Sequence, residues 1–177
     1  MMKKEILYVD GYNMIGAWPE LVKLKNQDKL ADARDRLLHE LSNYAKYDGI
    51  EVKVVFDAQL VPGIQQQYDR YNLTVVFTKE EETADTYIER VVGEENLLIA
   101  NVYVATSDLA EQWMIFQKGA NRKSANELYK DVQRAKKNIE LDTRMYNMQG
   151  SRRRSALKPE DVDRLKQLYQ EMVNQKD

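Results

Sequence analysis

Four aspartates stand at or just beyond the ends of short apolar runs in this chain. Asp10 ends ILYVD, Asp57 ends EVKVVFD and Asp108 ends NVYVATSD, while Asp85 stands in ETAD, a few residues after the run LTVVF. Carboxylates that converge repel each other unless their pKa values rise or a hard cation lies among them. Because Mg²⁺ and Mn²⁺ prefer oxygen ligands, these residues indicate a divalent-metal site.

The remaining residue types narrow the chemistry to metal-assisted phosphodiester hydrolysis. The chain has no cysteine, which excludes disulfides, thiolate metal sites and cysteine nucleophiles. Its single histidine, His39, lies in a helical pattern and is interpreted as a residue of a solvated helix face. A carboxylate-held cation can position a water and stabilise the charge that builds on a phosphorane. Asn13, three residues after Asp10, can hydrogen-bond a carboxylate, a water on the metal or a substrate phosphate.

Each aspartate also has a purely structural interpretation. Asp108 can cap a helix after Thr106 and Ser107, Asp85 can be favoured by the dipole of a helix's first turn, and Asp57 can be a turn residue. Asp10 is harder to explain in this way, because a lone acid that ends an apolar strand needs a stabilising partner. The joint pattern therefore favours a functional site more than any single residue does.

The elements that must position these residues alternate between strands and helices. The apolar runs predict strands over residues 6–10, 51–57, 73–77 and 101–108. Helical patterns occupy residues 28–47, the segment after Thr83 and the segment after Ser107. This alternation predicts an α/β fold with a parallel sheet and right-handed crossovers. Strand ends of one polarity meet at one edge of such a sheet, so we expect the four aspartates to converge there.

Two helical patterns carry apolar residues whose burial can be predicted. In DLAEQWMIFQKG, the residues Leu109, Trp113 and Phe116 recur at helical spacing and predict a stripe packed against the core. Trp18 and Trp113 are both interpreted as packing residues.

The C-terminal third is predicted to be helical, with one interruption. Ser124 and Glu127 form a capping box that opens a helix running to about Met145. The segment NMQGSRRRS, residues 147–155, is interpreted as a loop or flexible arm, and Pro159 stands in the first turn of a last helix. The domain prediction is therefore a main domain over residues 1–150 and a basic loop with a C-terminal helix, packed on that domain, over residues 151–177.

Charge is distributed unevenly along the chain, although the net charge is only −2. Residues 1–117 carry 12 Lys and Arg against 20 Asp and Glu, whereas residues 118–158 carry 12 against 4. The basic segment holds a group of candidate phosphate-binding residues: Arg122, Lys123, Arg152, Arg153 and Arg154. Basic clusters of this kind bind nucleic-acid backbones without reading sequence, although a solvated cationic loop would show the same pattern.

The N-terminal segment favours a cytoplasmic protein. Two lysines and a four-residue apolar run precede Asp10, and this run is too short for a signal peptide or a membrane span.

Four segments taken in order resemble the YacP-like family of NYN domains, bacterial relatives of the PIN-type nucleases. They are VDGYNMIGAWPEL (9–21), VVFDA (54–58), FTKEEETADTYIE (77–89) and VATSDLAEQWMIFQKGANRKSANEL (104–128). The resemblance covers at least residues 5–150. It implies a PIN-like, three-layer α/β/α domain with a central, mainly parallel sheet of four to five strands and a C-terminal helical extension.

The resemblance also implies an activity, an endoribonuclease that uses Mg²⁺ or Mn²⁺ to cleave mRNA in association with the translating ribosome. The acidic residues of the family correspond to Asp10, Asp85 and Asp108, with Asp57 less closely matched, and Asn13 corresponds to the asparagine of its signature. The predicted catalytic residues are Asp10, Asp85, Asp108 and Asn13, and the predicted metal ligands are Asp10, Asp85 and Asp108, to which Asp57 is added as the weaker match. The oligomeric state is left open.

Three other functions are weighed against this one. A catalytically weak RNA- or ribosome-binding module of the same fold would have no use for a repelling acidic pocket. A receiver-type phospho-acceptor domain would show paired acids at the end of its first strand, where Asp10 has only Val9 and Gly11 beside it. A haloacid-type phosphatase would need a second aspartate where Tyr12 stands.

Overall fold

The computed structural model describes residues 2–58, 71–154 and 159–174. Its strands are β1 (Lys4–Asp10), β2 (Glu51–Phe56), β3 (Thr74–Phe77), β4 (Ala100–Ala105) and β5 (Asn121–Lys123). Its helices are α1 (Gly11–Ile15), α2 (Pro19–Asn26), α3 (Leu30–Asp48), α4 (Ala84–Glu94), α5 (Leu109–Gln117), α6 (Ala125–Arg154) and α7 (Pro159–Asn174).

The five strands form one parallel sheet in the order β3-β2-β1-β4-β5. β1 lies at its centre, where Val9 is in register with Val54 of β2 and with Ala105 of β4. The predicted parallel sheet is therefore confirmed. Because all strands point the same way, the carboxyl ends of β1 and β4 meet at one edge.

Alternating residues of β1 pack on the two faces of the sheet. Leu7 and Val9 join a core formed with α1, α2, α3 and the first turns of α6. Ile6 and Tyr8 join a second core with α4 and with Ile115 of α5. Side chains alternate across a strand, so a run that is apolar throughout must be covered on both faces. The result is the expected three-layer α/β/α arrangement.

Helix starts next to the sheet are fixed by side chains that cap them. The Thr83 hydroxyl accepts a hydrogen bond from the Thr86 amide at 3.3 Å and so caps α4. At the start of α6, Ser124 Oγ accepts from the Glu127 amide at 3.1 Å while Glu127 Oε2 accepts from the Ser124 amide at 3.1 Å. This reciprocal pair is the capping box that the sequence predicts.

Helix α6 is longer than the sequence analysis predicts. It continues through Arg154, so residues 147–154 are helical where a loop or flexible arm is expected. Gly150 is tolerated inside it because one glycine costs a helix only about 1 kcal/mol, whereas the next proline is Pro159, at the start of α7.

The chain forms two compact units, Met1–Lys136 and Lys137–Asp177. The first contains the sheet and both cores. The second contains the remainder of α6 and helix α7, whose apolar residues Leu165, Leu168 and Met172 are exposed. The division into a main domain over residues 1–150 and a packed extension over residues 151–177 stays a prediction. No helix in the described part of the chain has both the length and the apolar character that a membrane span requires.

Candidate active site

Three carboxylates from three separate segments converge at the carboxyl edge of the sheet. Asp10 is the last residue of β1, Asp85 is in the first turn of α4, and Glu111 is in the first turn of α5. One oxygen of each lies within 4.8 Å of one oxygen of each of the others. Among the described residues, these three are grouped closely enough to share a metal ion.

Asp10 is held at the end of β1 by two hydrogen bonds from Asn13. The Asn13 amide donates to Oδ1 at 3.3 Å, which caps α1, and Asn13 Nδ2 donates to Oδ2 at 2.6 Å. The side chain is buried, with only 3% of its surface exposed. Burial raises the pKa of Asp10 to about 7 and the negative charge of Asp85 adds to the rise, although the Asn13 hydrogen bonds oppose it.

Glycine follows Asp10 because the aromatic ring of Phe56 lies against this position. A Cβ atom on Gly11 would stand 2.6 Å from Phe56 Cδ1, which is closer than atoms can pack. Phe56 is fully buried at the end of β2 and contacts the Tyr12 ring edge-on, with 5.1 Å between centroids. Gly11 therefore lets α1 start directly beside the sheet, against the Phe56 ring.

Glu111 is a buried carboxyl group that the sequence analysis did not identify. Its Oε2 accepts a hydrogen bond from Thr106 Oγ1 at 2.7 Å, while its Oε1 is buried without a hydrogen-bond partner. Burial is the main cause that raises the pKa of Glu111 to about 8; the negative charges of Asp85 and Asp10 contribute to this rise, whereas the Thr106 hydrogen bond opposes it. Its position one helical turn after Asp108 was the available signal in the sequence.

The residues present fit a divalent metal ion. The hydrogen bonds that hold Asp10 and Glu111 come from neutral groups, Asn13 and Thr106, so they do not cancel the negative charge. A buried, unpartnered carboxylate oxygen such as Glu111 Oε1 is costly without a compensating group. An all-oxygen set of three carboxylates suits Mg²⁺ or Mn²⁺.

The structure places Asp108 outside this group. Its Oδ1 accepts a hydrogen bond from the Ala110 amide at 2.9 Å and so caps α5, and its side chain is exposed. The capping interpretation therefore accounts for its position, and its role as a metal ligand stays a prediction. Asp57 also lies outside the group, because Asp10 is in register with Val55 and Asp57 stands two residues further along.

Asn13 links the end of β1 to the segment that follows the neighbouring strand, β4. While Nδ2 donates to Asp10, its Oδ1 accepts a hydrogen bond from the Ser107 hydroxyl, in the connection between β4 and α5. The side-chain amide thereby fixes the orientation of the Asp10 carboxylate. His39 is exposed on α3, beside Asn43, as the sequence predicts.

The predicted phosphate-binding residues have different surroundings. Lys123 Nζ donates to Asp131 Oδ2 at 2.6 Å, so its charge is paired. Arg122 Nη1 donates to the neutral amide oxygen of Gln112 at 2.8 Å. Arg152, Arg153 and Arg154 occupy the last turn of α6. Binding of RNA by these residues stays a prediction.

The two tryptophans do not share an environment. Trp18 is buried, and its Nε1 donates to the Ala125 carbonyl at 2.9 Å, which confirms its packing role. Trp113 is 63% exposed, as are its neighbours Leu109 at 77% and Phe116 at 66%. The prediction that these three pack against the core is wrong, because the side of α5 that faces the core carries Glu111, Gln112 and Ile115 instead.

Comparisons with known proteins agree with this fold. The model of the YacP-like NYN domain matches residues 7–170. The chain is 47% identical over 140 residues to the protein YacP of Bacillus subtilis (strain 168), which covers 79% of this chain and 82% of that protein. The crystal structure of Rae1 (YacP) from Bacillus subtilis is similar with a TM-score of 0.74 and 41% identity, covering 96% of this chain and 97% of that one. A variant of Rae1 gives a TM-score of 0.70 at 44% identity, over 80% and 82% of the two chains.

Proposed function

Because the chain belongs to the YacP-like NYN domain family, whose fold is of the nuclease type, we propose that it is a metal-dependent endoribonuclease. Its substrate is mRNA, and it acts in the cytoplasm in association with the translating ribosome. The observation that carries the proposal is the convergence of Asp10, Asp85 and Glu111 at one edge of the sheet.

Asp10, Asp85 and Glu111 are the residues that would hold a Mg²⁺ or Mn²⁺ ion. When bound, such an ion activates water and neutralises the negative charge that develops on the phosphate. The protein contributes the orientation of the ligands, since Asn13 fixes Asp10 and Thr106 fixes Glu111. Neutral partners suit this purpose because they leave the charge of both carboxylates available to the cation.

The cluster of three carboxylates, Asp10, Asp85 and Glu111, argues against a protein of the same fold that only binds RNA or ribosomes. Bringing Asp10 and Glu111 into a buried position next to Asp85 costs stability, as the raised pKa values of both groups indicate. A module that only binds RNA or ribosomes gains nothing in return, whereas a hydrolase gains its cation site.

Two features support RNA as the substrate. The resemblance to the NYN domains implies RNA, mRNA and the translating ribosome. The excess of Lys and Arg in residues 118–158 supplies positive charge of the kind that binds a polyanion.

The test is cleavage of an mRNA, naked and under translation, with Mg²⁺ and with EDTA. We expect cleavage that requires the cation and is stronger under translation. Asp10→Asn and Asp85→Asn should each lower the rate by at least about 100-fold without unfolding the protein. Asp32→Asn, in the first turn of α3, is the matched control and should cleave like the parent. Cleavage that persists in EDTA or in the Asp10→Asn/Asp85→Asn double variant would remove the nuclease assignment.

A further inference from the structure

A groove of exposed apolar side chains runs along the solvent-facing side of α5. We call it the α5 groove, and its lining consists of Leu109, Gln112, Trp113, Phe116 and Arg122. It encloses about 340 Å³. Adjacent aromatic side chains are rarely this exposed on the surface of a soluble protein, and such a patch marks an interaction surface.

The two aromatic rings of the groove form a platform. Trp113 and Phe116 lie nearly parallel, with an interplanar angle of 27° and 6.4 Å between ring centroids. Each leaves about two thirds of its surface exposed. Flat, exposed aromatic faces of this kind are what unpaired bases stack upon.

The α5 groove is connected to the carboxylates by a short chain of hydrogen bonds. Arg122 donates to Gln112, whose Nε2 donates to the Thr106 carbonyl at 2.9 Å. The Thr106 hydroxyl in turn donates to Glu111 at 2.7 Å. The groove and Glu111 are therefore carried by the same helix, with Glu111 on its buried side and the aromatic residues on its exposed side.

Charge distinguishes between the possible occupants of the groove. Arg122 is exposed and bonded to a neutral amide, so its charge remains available to an anion. A nucleotide offers a flat base for the rings and a phosphate for the guanidinium. An apolar helix of another protein would meet this positive charge without a partner for it.

We propose that the α5 groove binds one unpaired nucleotide of the RNA substrate, with its base stacked on Trp113 and Phe116 and its phosphate on Arg122. This inference rests on the proposed function for the identity of the nucleic acid. It makes the enzyme select single-stranded RNA, because a base within a duplex is already stacked and cannot reach the rings.

Trp113 supplies a direct reporter, because Trp18 is buried on the other face of the sheet. In the cleavage-deficient Asp10→Asn background, a single-stranded RNA of about 12 nucleotides should quench the tryptophan emission in a saturable manner. Trp113→Phe should abolish the quenching while keeping the affinity within about 3-fold, since phenylalanine still stacks. An equal concentration of the duplex RNA should quench much less.

Affinity measured by fluorescence anisotropy completes the test. In the same background, Trp113→Ala and Phe116→Ala should each weaken binding of the single strand by about 5- to 100-fold. Leu98→Ala is the matched control, since it removes an equally exposed apolar side chain that is 84% accessible and lies in the connection between α4 and β4. It should bind like the parent.

Unchanged affinity in both alanine variants would overturn the proposal, and so would a duplex that binds as tightly as the single strand. If sedimentation shows a dimer that is lost when Trp113 is changed, the groove binds a second copy of this chain instead. The nuclease assignment is judged separately by cleavage in the parent. If RNA binding depends on Trp113 but the parent protein does not cleave RNA, the groove is an RNA-binding site and the nuclease assignment is wrong.

Discussion

The Thr106 hydroxyl donates a hydrogen bond to one oxygen of Glu111 at 2.7 Å, while the other oxygen of this buried carboxyl has no hydrogen-bond partner. Thr106 also accepts a hydrogen bond from the Asp108 amide at 3.1 Å, so one hydroxyl joins the end of β4 to the start of α5. A carboxylate that has one oxygen held by a hydrogen bond and the other without a partner is suited to ligate a cation. This relationship distinguishes Glu111 from Asp108, whose carboxylate caps the helix.

Glu111→Gln should therefore impair cleavage more than Asp108→Asn does. The first change removes one negative charge from the cluster of Asp10, Asp85 and Glu111, and we expect the metal-dependent cleavage rate to fall by at least about 100-fold. The second keeps a good helix cap, and we expect a loss of less than about 5-fold. Rates measured at saturating Mn²⁺ with a labelled RNA compare the two directly. A larger loss in Asp108→Asn would return the ligand role to Asp108 and contradict the assignment of Glu111.

Without divalent ions, the protein should lose stability as pH rises from about 4 to about 8. The pKa of Asp10 is raised from 3.8 to about 7 and that of Glu111 from 4.5 to about 8. Between these values the folded state keeps protons that the unfolded state has released, so rising pH favours unfolding. We expect a loss of at least about 2 kcal/mol, or roughly 4–8 °C in Tm.

Thermal unfolding followed by circular dichroism in EDTA measures this loss. Glu111→Gln should reduce the pH dependence, whereas the control Asp32→Asn should leave it unchanged. Added Mg²⁺ should raise Tm more at pH 8 than at pH 5, because a cation binds the deprotonated carboxylates. A Tm that increases from pH 4 to pH 8 in EDTA is incompatible with buried acids of raised pKa.

Gly11→Ala should destabilise the protein although alanine is the better helix former. Its Cβ would overlap the Phe56 ring, which is packed on all sides in the core, and overpacking of this kind costs about 1–3 kcal/mol. Gly16→Ala is the matched control, since its Cβ would lie 3.4 Å from the nearest atom. Urea unfolding should show a lower midpoint for the first variant alone. Equal midpoints would mean that the approach of Gly11 to Phe56 does not require glycine.

Replacing Arg152, Arg153 and Arg154 together by alanine should weaken RNA binding and reduce its salt dependence. If each arginine contacts one phosphate of a single strand, the slope of log K against log salt should fall by about 2. Changing Lys23, Lys25 and Lys29 to alanine alters the net charge equally and is the control, because these exposed residues lie in the acidic N-terminal segment. Equal slopes in both triple variants would assign the effect to net charge rather than to the end of α6.

Four of the five strands could be predicted from the sequence because each contains a short apolar run. The runs are ILYV in β1, VVF in β2, VVF in β3 and VYVA in β4, and such runs are typical of strands in a parallel sheet. β5 was not predicted, since its three residues, Asn121–Lys123, are polar and pair only with β4 at the sheet edge. The end of α6 was misjudged because glycine and serine beside arginines also suit a loop, whereas only a proline stops a helix with certainty.

Only part of the candidate site could be predicted from the sequence. Asp10 and Asp85 follow from strand and helix ends that the sequence marks clearly. Glu111 does not, because an acid within a helix looks solvent-exposed until the helix is oriented against the sheet. The same rotation of α5 reversed the prediction for Trp113, since the side that carries Glu111 and Ile115 faces the core and the aromatic side does not. Spacing alone gives a helix stripe but not the direction in which the stripe faces.

Anomalous diffraction from crystals soaked in Mn²⁺ measures whether Asp10, Asp85 and Glu111 together hold a divalent cation. We expect a single strong peak about 2 Å from one oxygen of each of the three carboxylates, lost in crystals of Glu111→Gln. A peak bound by Asp108 in place of Glu111, or no peak at this edge of the sheet in a protein that cleaves RNA with Mn²⁺, would mean that these three carboxylates do not form the cation site.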